Sequence, residues 1–151
     1  RKTLEINLLG PACCIHTLLP HMPASGTIIN ISSGLSRMAF PRFSAYCTSK
    51  AGLEHLSRCL AAEFASTGLK VACLDPGVMD TGMQDNIREL GPDRLGQGLW
   101  KQFSNMKASG QLRNPAQVSE LALALAIYIP DERNGESFAM QDLPSLRKPA
   151  Q

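Results

Sequence analysis

Ser33-Gly34-Leu35-Ser36-Arg37-Met38-Ala39-Phe40-Pro41-Arg42-Phe43-Ser44-Ala45-Tyr46-Cys47-Thr48-Ser49-Lys50 is the stretch whose reading decides the fold. Before it lies the β-branched run Thr27-Ile28-Ile29-Asn30-Ile31, and after it the helical pattern Leu53, Leu56, Leu60, Phe64. The order is therefore strand, connection, helix. Tyr46 and Lys50 stand at i and i+4, on one face of that helix, where an ammonium can act on a phenol. A Tyr hydroxyl has an unperturbed pKa of roughly 10, and a neighbouring cation favours its ionised form, which suits it to give or take a proton near neutral pH. Ser33, at the end of the strand, is placed to hold the oxygen that is protonated or deprotonated.

Working outward, the strand is expected over 27 to 32, and its continuous apolar character predicts burial on both faces, as in a parallel sheet. The helix is expected from about 43 to 67, ending at Thr67-Gly68 with Gly68 as the C′ residue. A second buried strand follows over 69 to 74 and stops at Asp75-Pro76-Gly77. Strand, helix and strand at about 30 residues per unit imply a right-handed parallel crossover. Upstream, residues 1 to about 22 read as a helix on Leu4, Leu8, Ala12, Ile15, Leu18 and Leu19, ended by Pro20 and Pro23 and bent or broken at Gly10-Pro11.

From Met79 to about Gly110, glycines are interspersed with Met83, Ile87, Leu90, Leu99, Trp100 and Phe103. An apolar, Gly-rich segment after a strand's C-terminal end suits a substrate-covering lid. Asn114-Pro115 begins a further helix as N-cap and N1, with Val118, Leu121, Ala122, Leu125 and Tyr128 inward. Arg133-Asn134-Gly135 is a turn, 136 to 141 is the last strand, and 143 to 151 is a flexible tail. The class is α/β, with about three strands and flanking helices as the C-terminal part of a doubly wound, Rossmann-type parallel sheet.

A chain of 151 residues with 44% hydrophobic and 19% charged residues is ordinary for one globular domain or part of one. A net charge of +2, with the basic residues scattered, gives no footprint for nucleic acid. No apolar run reaches the roughly 18 residues of a membrane span. The cysteines Cys13, Cys14, Cys47, Cys59 and Cys73 form no Cys-x-x-Cys pair and are odd in number, which predicts a reducing, cytoplasmic setting and no zinc site. His16, His21 and His55 have no partners at a ligand spacing, so no metal is expected. Asp80 and Asp85 read as capping or solvated carboxylates.

Three segments carry a family resemblance: Asn30-Ile31-Ser32-Ser33, Tyr46-Cys47-Thr48-Ser49-Lys50-Ala51 and Leu74-Asp75-Pro76-Gly77-Val78-Met79-Asp80-Thr81. In order and spacing they resemble the strand-end serine, the Tyr-x-x-x-Lys helix and the Pro-Gly loop of the short-chain dehydrogenase/reductase family. The resemblance runs from Leu4 to about Asp142. It implies an oxidoreductase in which Tyr46 is the general acid of carbonyl reduction, Ser33 donates a second hydrogen bond, and Lys50 acts on Tyr46 and on the nicotinamide ribose. Ser33 rather than Ser32 takes this part because it lies 13 residues before Tyr46, the family spacing. Asn7 falls where the family carries its catalytic asparagine, whose carbonyl at a helix kink holds a water. Pro76, Gly77, Val78 and Thr81 match the loop that grips the nicotinamide carboxamide.

Within the family, Tyr46-Cys47, the run from Pro76 to Gln84 and Lys107-Ala108-Ser109-Gly110-Gln111-Leu112 are most similar to the sepiapterin reductase and diketone reductase branch. That similarity implies NADP as cofactor, with NAD not excluded, and a small carbonyl substrate. Where sepiapterin reductase anchors its pterin with an aspartate of the final strand, this chain has Ala139, so the branch is implied and the pterin is not. The resemblance also implies a homo-oligomer formed through helices 1 to 22 and 43 to 67.

The family's Thr-Gly-x-x-x-Gly-x-Gly turn, which seats the cofactor pyrophosphate at a helix N-terminus, does not occur in these 151 residues. The expectation is that residues 1–142 are the catalytic and substrate-binding part of a single domain, in a fragment of a longer reductase. The alternative is a truncated, non-catalytic paralogue that pairs with a full-length relative. On either reading the 151-residue chain by itself is expected to bind NADPH more weakly than micromolar. Calorimetry checks this, and a micromolar isotherm would overturn it.

Overall fold

Val71, Ala72, Cys73 and Leu74 are all buried, at most 1% exposed, so the strand they form has no face to offer to water. A strand of that kind has to be covered on both sides and paired on both edges. The computed structural model describes residues 1–147 and meets the requirement with three strands in the order β1-β2-β3, all parallel: β1 (Thr27–Ile31), β2 (Lys70–Leu74) and β3 (Ser137–Phe138). Thr27 pairs with Lys70 and Ile31 with Leu74, while Leu74 pairs with Phe138 on the other side. The helices, in chain order, are α1 (Lys2–Leu4), α2 (Gly10–Leu18), α3 (Ser44–Glu63), α4 (Gly82–Glu89), α5 (Gly91–Leu95), α6 (Gln97–Ala108), α7 (Pro115–Ile127) and α8 (Leu143–Leu146). This is the α/β, parallel, doubly covered arrangement that the sequence predicts.

The two covers are separate apolar clusters. On one side Val71 and Ile28 pack with Ala61 and Leu69, backed by Ile15, Leu60 and Phe64. On the other, Ala72, Leu74 and Phe138 pack with Val118, Leu121 and Leu125 of α7 and with Leu143 and Leu146 of α8. Helix α7 starts where expected, with Asn114 Oδ1 accepting from Ala116 N–H at 2.9 Å and Pro115 at the first helical position. One polar pair sits in the first cluster's layer: Asn30 Nδ2 donates to Ser57 Oγ at 2.9 Å, and Ser57 Oγ donates to Leu53 O at 2.9 Å.

Several expectations are corrected. The first helix is not broken at Gly10-Pro11 but widened ahead of it, into a π-helical turn over Glu5–Leu9 that joins α1 to α2. Pro11 has no N–H for an α-helical bond, and the wider turn carries the chain past that gap. β1 is not buried throughout: Ile28 and Asn30 are buried, whereas Ile31 is 48% exposed, and among the described residues β1 pairs with β2 alone. Helix α3 ends at Glu63 rather than 67, and Gly68 lacks the left-handed backbone of a C′ residue. Its bare Cα instead lets Ala24 O approach to 3.0 Å of where a Cβ would sit.

The last strand is two residues long, not six, because the Asp142 carboxylate accepts from Ala139 N–H at 2.8 Å and turns the chain. Residues 143–146, expected to be flexible, form α8 with Leu143 and Leu146 buried; 148–151 lie outside the described residues. Arg147, read as a solvated tail residue, pairs with Glu120 at 2.5 Å. Among the described residues no helix is long and apolar enough to cross a membrane.

Leu121 is fully buried where α7 meets the sheet. Leu121→Ala should cost about 2–5 kcal/mol in urea unfolding, through lost transfer energy and the cavity left behind. A loss below about 1 kcal/mol would show that α7 is not a core helix.

Candidate active site

All strands of a parallel sheet end on the same side, and here β1 and β2 end at Ile31 and Leu74, next to Ser33 and Asp75. At those ends lies a cavity of about 1200 Å³, lined by all the catalytic and cofactor-binding candidates of the sequence: Asn7, Ser33, Tyr46, Lys50, Pro76, Gly77, Val78 and Thr81. Local patterns of four separate chain segments thus converge on one space.

Tyr46 and Lys50 project from the first two turns of α3, with the ammonium 5.8 Å from the centre of the Tyr46 ring. Lys50 Nζ donates to Ile31 O at 2.8 Å, which ties the helix to the end of β1. Burial pushes the Lys50 ammonium below the ordinary lysine range, since a desolvated charge is disfavoured; interaction with Cys73 acts the other way. Burial likewise pushes the Cys73 thiol up. Among the described residues nothing hydrogen-bonds the Tyr46 hydroxyl, which faces the cavity. Ser33 Oγ accepts from Leu35 N–H at 3.3 Å at the head of a short 3₁₀ turn, Gly34–Arg37. A hydroxyl that accepts in this way keeps its own proton to donate.

Asn7 sits in the π turn and donates through Nδ2 to Ser49 Oγ at 3.2 Å; Ser49 Oγ in turn donates to Tyr46 O at 2.7 Å. Four residues beyond Asn7 is Pro11, so the Asn7 carbonyl has no α-helical donor. Beyond β2, Asp75 Oδ1 accepts from Gly77 N–H at 3.0 Å, and Gly77 has φ +68°, a conformation that glycine adopts without strain. Arg113 fastens the following residues by donating to Val78 O at 2.8 Å and accepting from Asp80 N–H at 2.9 Å.

Much of the remaining wall is apolar, with Met38, Phe40 and Phe43 from the connection, Met83 and Ile87 from α4, and Phe103 and Met106 from α6, while Arg42, Gln84 and Gln102 add polar groups. Phe43 stacks obliquely on Phe103, with ring centres 6.2 Å apart. The segment from Met79 to about Gly110 forms three helices, α4 to α6, of which α4 and α6 line the cavity. It is fastened by Lys107 to Asp80 at 2.5 Å and by Arg42 Nη1 to Arg94 O at 2.7 Å. Asp85, read with Asp80 as a solvated carboxylate, pairs with Arg88. Ala139 and Asp142 do not line the cavity, and Asp142 is engaged by Arg133 as well as by Ala139 N–H. Sequence reading missed Arg37 and Glu54, which meet behind the cavity at 3.0 Å; the only local sign was that Glu54 extends the Tyr46, Lys50 stripe by one more step of four.

A model of the short chain dehydrogenase family matches residues 1–90. Benzil reductase ((S)-benzoin forming) of Saccharomyces cerevisiae is 35% identical over 146 residues, 93% of this chain and 56% of the relative. The crystal structure of a Saccharomyces cerevisiae short chain dehydrogenase/reductase superposes with a TM-score of 0.85 at 31% identity, over 95% of this chain and 57% of that one. An angucycline C-6 ketoreductase, LanV, solved with bound NADP, superposes at 0.69 with 26% identity, over 91% and 50%. The chain thus spans between half and three fifths of the length of these relatives. The motifs converge on one cavity, the fold superposes on part of a solved family structure, and the family model covers the segment that holds the Tyr-Lys helix; the chain belongs to the short chain dehydrogenase family of oxidoreductases.

Proposed function

We propose that the protein is an NADP-dependent carbonyl reductase acting on small dicarbonyls that carry an aromatic group. The observation behind this reading is the single cavity in which Ser33, Tyr46 and Lys50 face walls built from Met38, Phe40, Phe43, Phe103 and Met106. Such walls favour an apolar, aromatic body and leave the polar cluster to orient one oxygen. The benzil reductase relative supports the substrate class, and the NADP in the ketoreductase structure supports the cofactor.

The residues present fit the nicotinamide end of that cofactor. Lys50 has one of its three N–H donors on Ile31 O, and the other two are available toward the cavity it shares with Tyr46, Thr81 and the Pro76–Val78 backbone. Lys50 would hold the ribose, and Pro76, Gly77, Val78 and Thr81 the carboxamide. When bound, the cofactor supplies a hydride to the carbonyl carbon. The chain's own work is on the oxygen. Ser33 donates a hydrogen bond to it, and Tyr46 gives it the phenolic proton as negative charge develops. The Lys50 ammonium stabilises the phenolate left behind. The Asn7 carbonyl holds a water that returns the proton. Self-association through the first helical segment and α3, the helices expected over 1–22 and 43–67, belongs to the same proposal, with Leu9 and Leu18, more than half exposed, as apolar surface to cover. So does a cytoplasmic setting, with all five cysteines unpaired.

The test is NADPH oxidation with benzil. It uses the protein as its gene encodes it, or the chain fused behind the N-terminal part of the yeast benzil reductase. Tyr46→Phe should lower turnover by roughly 10²- to 10⁴-fold with NADPH affinity nearly unchanged, since only the transferable proton is lost. A loss smaller than about tenfold would mean that Tyr46 is not the acid.

Lys50 gives a pH signature. Its folded pKa is lowered, so its charge costs folding free energy below that pKa, and the cost fades as pH rises through it toward the unfolded lysine value. After reductive ¹³C-methylation, the Lys50 resonance should titrate below those of the other lysines, and stability should rise over that interval. Titration together with the surface lysines would contradict the burial of the ammonium.

A further inference from the structure

We propose that Arg37 is a positioning residue for this reaction: its guanidinium holds the Ser33 loop, the Tyr46–Lys50 helix and the Pro76–Gly77 loop in one register. The inference rests on the reductase reading above, but the contacts themselves do not.

Arg37 closes the 3₁₀ turn that Ser33 opens. Its Nη1 donates to Glu54 Oε1 at 3.0 Å and its Nη2 to Asp75 Oδ2 at 3.0 Å. Glu54 belongs to α3, one turn beyond Lys50 and two beyond Tyr46, so it continues the stripe that carries the acid and the ammonium. Asp75 follows β2, and its other oxygen accepts from Gly77 N–H at 3.0 Å. One planar cation thus bridges two carboxylates on two segments, from a third segment, and each of the three carries one motif of the site.

Burial makes the bridge consequential. The side chains of Glu54 and Asp75 are only 6% and 11% exposed, while Arg37 is 51% exposed and reaches in from the rim. Glu54 Oε1 also accepts from Ser32 Oγ and Ser36 Oγ, both at 2.7 Å, so the serine loop is fastened to α3 at either end of its turn. Gly34 leaves room for the carboxylate: a Cβ there would sit 3.3 Å from Asp75 Oδ2. Without the guanidinium, two desolvated carboxylates would face each other across the loop with no counter-charge, and the loop and Gly77 would lose their common anchor. A lysine cannot replace it, because a point charge reaches one carboxylate where the fork reaches two.

The test compares Arg37→Met, Arg37→Lys and Asp75→Asn with wild type in the protein as its gene encodes it, by benzil-dependent NADPH oxidation, thermal unfolding and amide exchange. Arg37→Met should lower kcat roughly 10- to 100-fold, because the proton donor and the second hydrogen bond lose their mutual placement, while KM moves about threefold or less. Exchange should rise in residues 33–38 and 75–80 and stay unchanged in β2 and α7. Arg37→Lys should recover the unfolding midpoint and not kcat. Asp75→Asn keeps an acceptor for Gly77 N–H and should lose less kcat than Arg37→Met; it carries the test with Arg37→Lys if Arg37→Met does not fold.

Full kcat in Arg37→Lys, or a loss carried by KM alone, would overturn the proposal. A wild type that reduces no dicarbonyl would sink the reductase reading instead. The tie would then be judged by exchange: opening of both loops in Arg37→Met supports it, and unchanged protection overturns it.

Discussion

The structure depends on a strand that cannot meet water on either face. Once Val71 to Leu74 is buried, helices must cover both sides of β2 and strands must satisfy both its edges. The parallel direction follows because α3 covers one face between β1 and β2, and α7 the other between β2 and β3. Parallel strands end together, so the loops after β1 and β2 have to emerge side by side. The candidate site is built on that adjacency, and its side chains are on segments that the core already holds.

Helix α3 turns the adjacency into chemistry. Its buried positions Ser49, Leu53 and Ser57 face the sheet layer, and the neighbouring stripe of Tyr46, Lys50 and Glu54 lies along the strand ends. Each residue of that stripe reaches a different segment: Tyr46 the cavity, Lys50 the β1 carbonyl at Ile31, Glu54 the serine loop and Arg37. Small displacements of α3 along its axis would therefore disturb the place of Tyr46 in the cavity, the Lys50 contact with Ile31 and the anchoring of the serine loop together. Catalytic power is sensitive to placement at the ångström level, so a helix fastened at several points is a suitable carrier.

Polar groups inside the fold are joined rather than isolated. Asn30, Ser57 and the Cys73 thiol form one hydrogen-bonded group beneath the strands. Ser32, Ser36, Glu54, Arg37 and Asp75 form another at their ends. Charged groups in the second are tolerable because each buried carboxylate has a cation and further donors around it. The apolar surface is less complete. Ile6, Leu9 and Ile31 are about half exposed or more.

What the sequence by itself determined is what short-range geometry carries. The i,i+4 placement of Tyr46 and Lys50, the Asn114 cap, the Pro-Gly turn and the apolar β2 each follow from residues within one or two turns of one another. The parallel crossover from β1 to β2 followed from these. The tertiary structure alone decided the rest. Arg37 meets partners 17 and 38 residues away. β3 ends early because Asp142 competes for Ala139 N–H. The first helix absorbs Gly10-Pro11 in a π turn rather than a break, with α3 packed against it. In each case the deciding hydrogen bond or packing contact depends on where the backbone has been carried by the core, and such contacts leave no period or spacing in the chain for sequence reading to find.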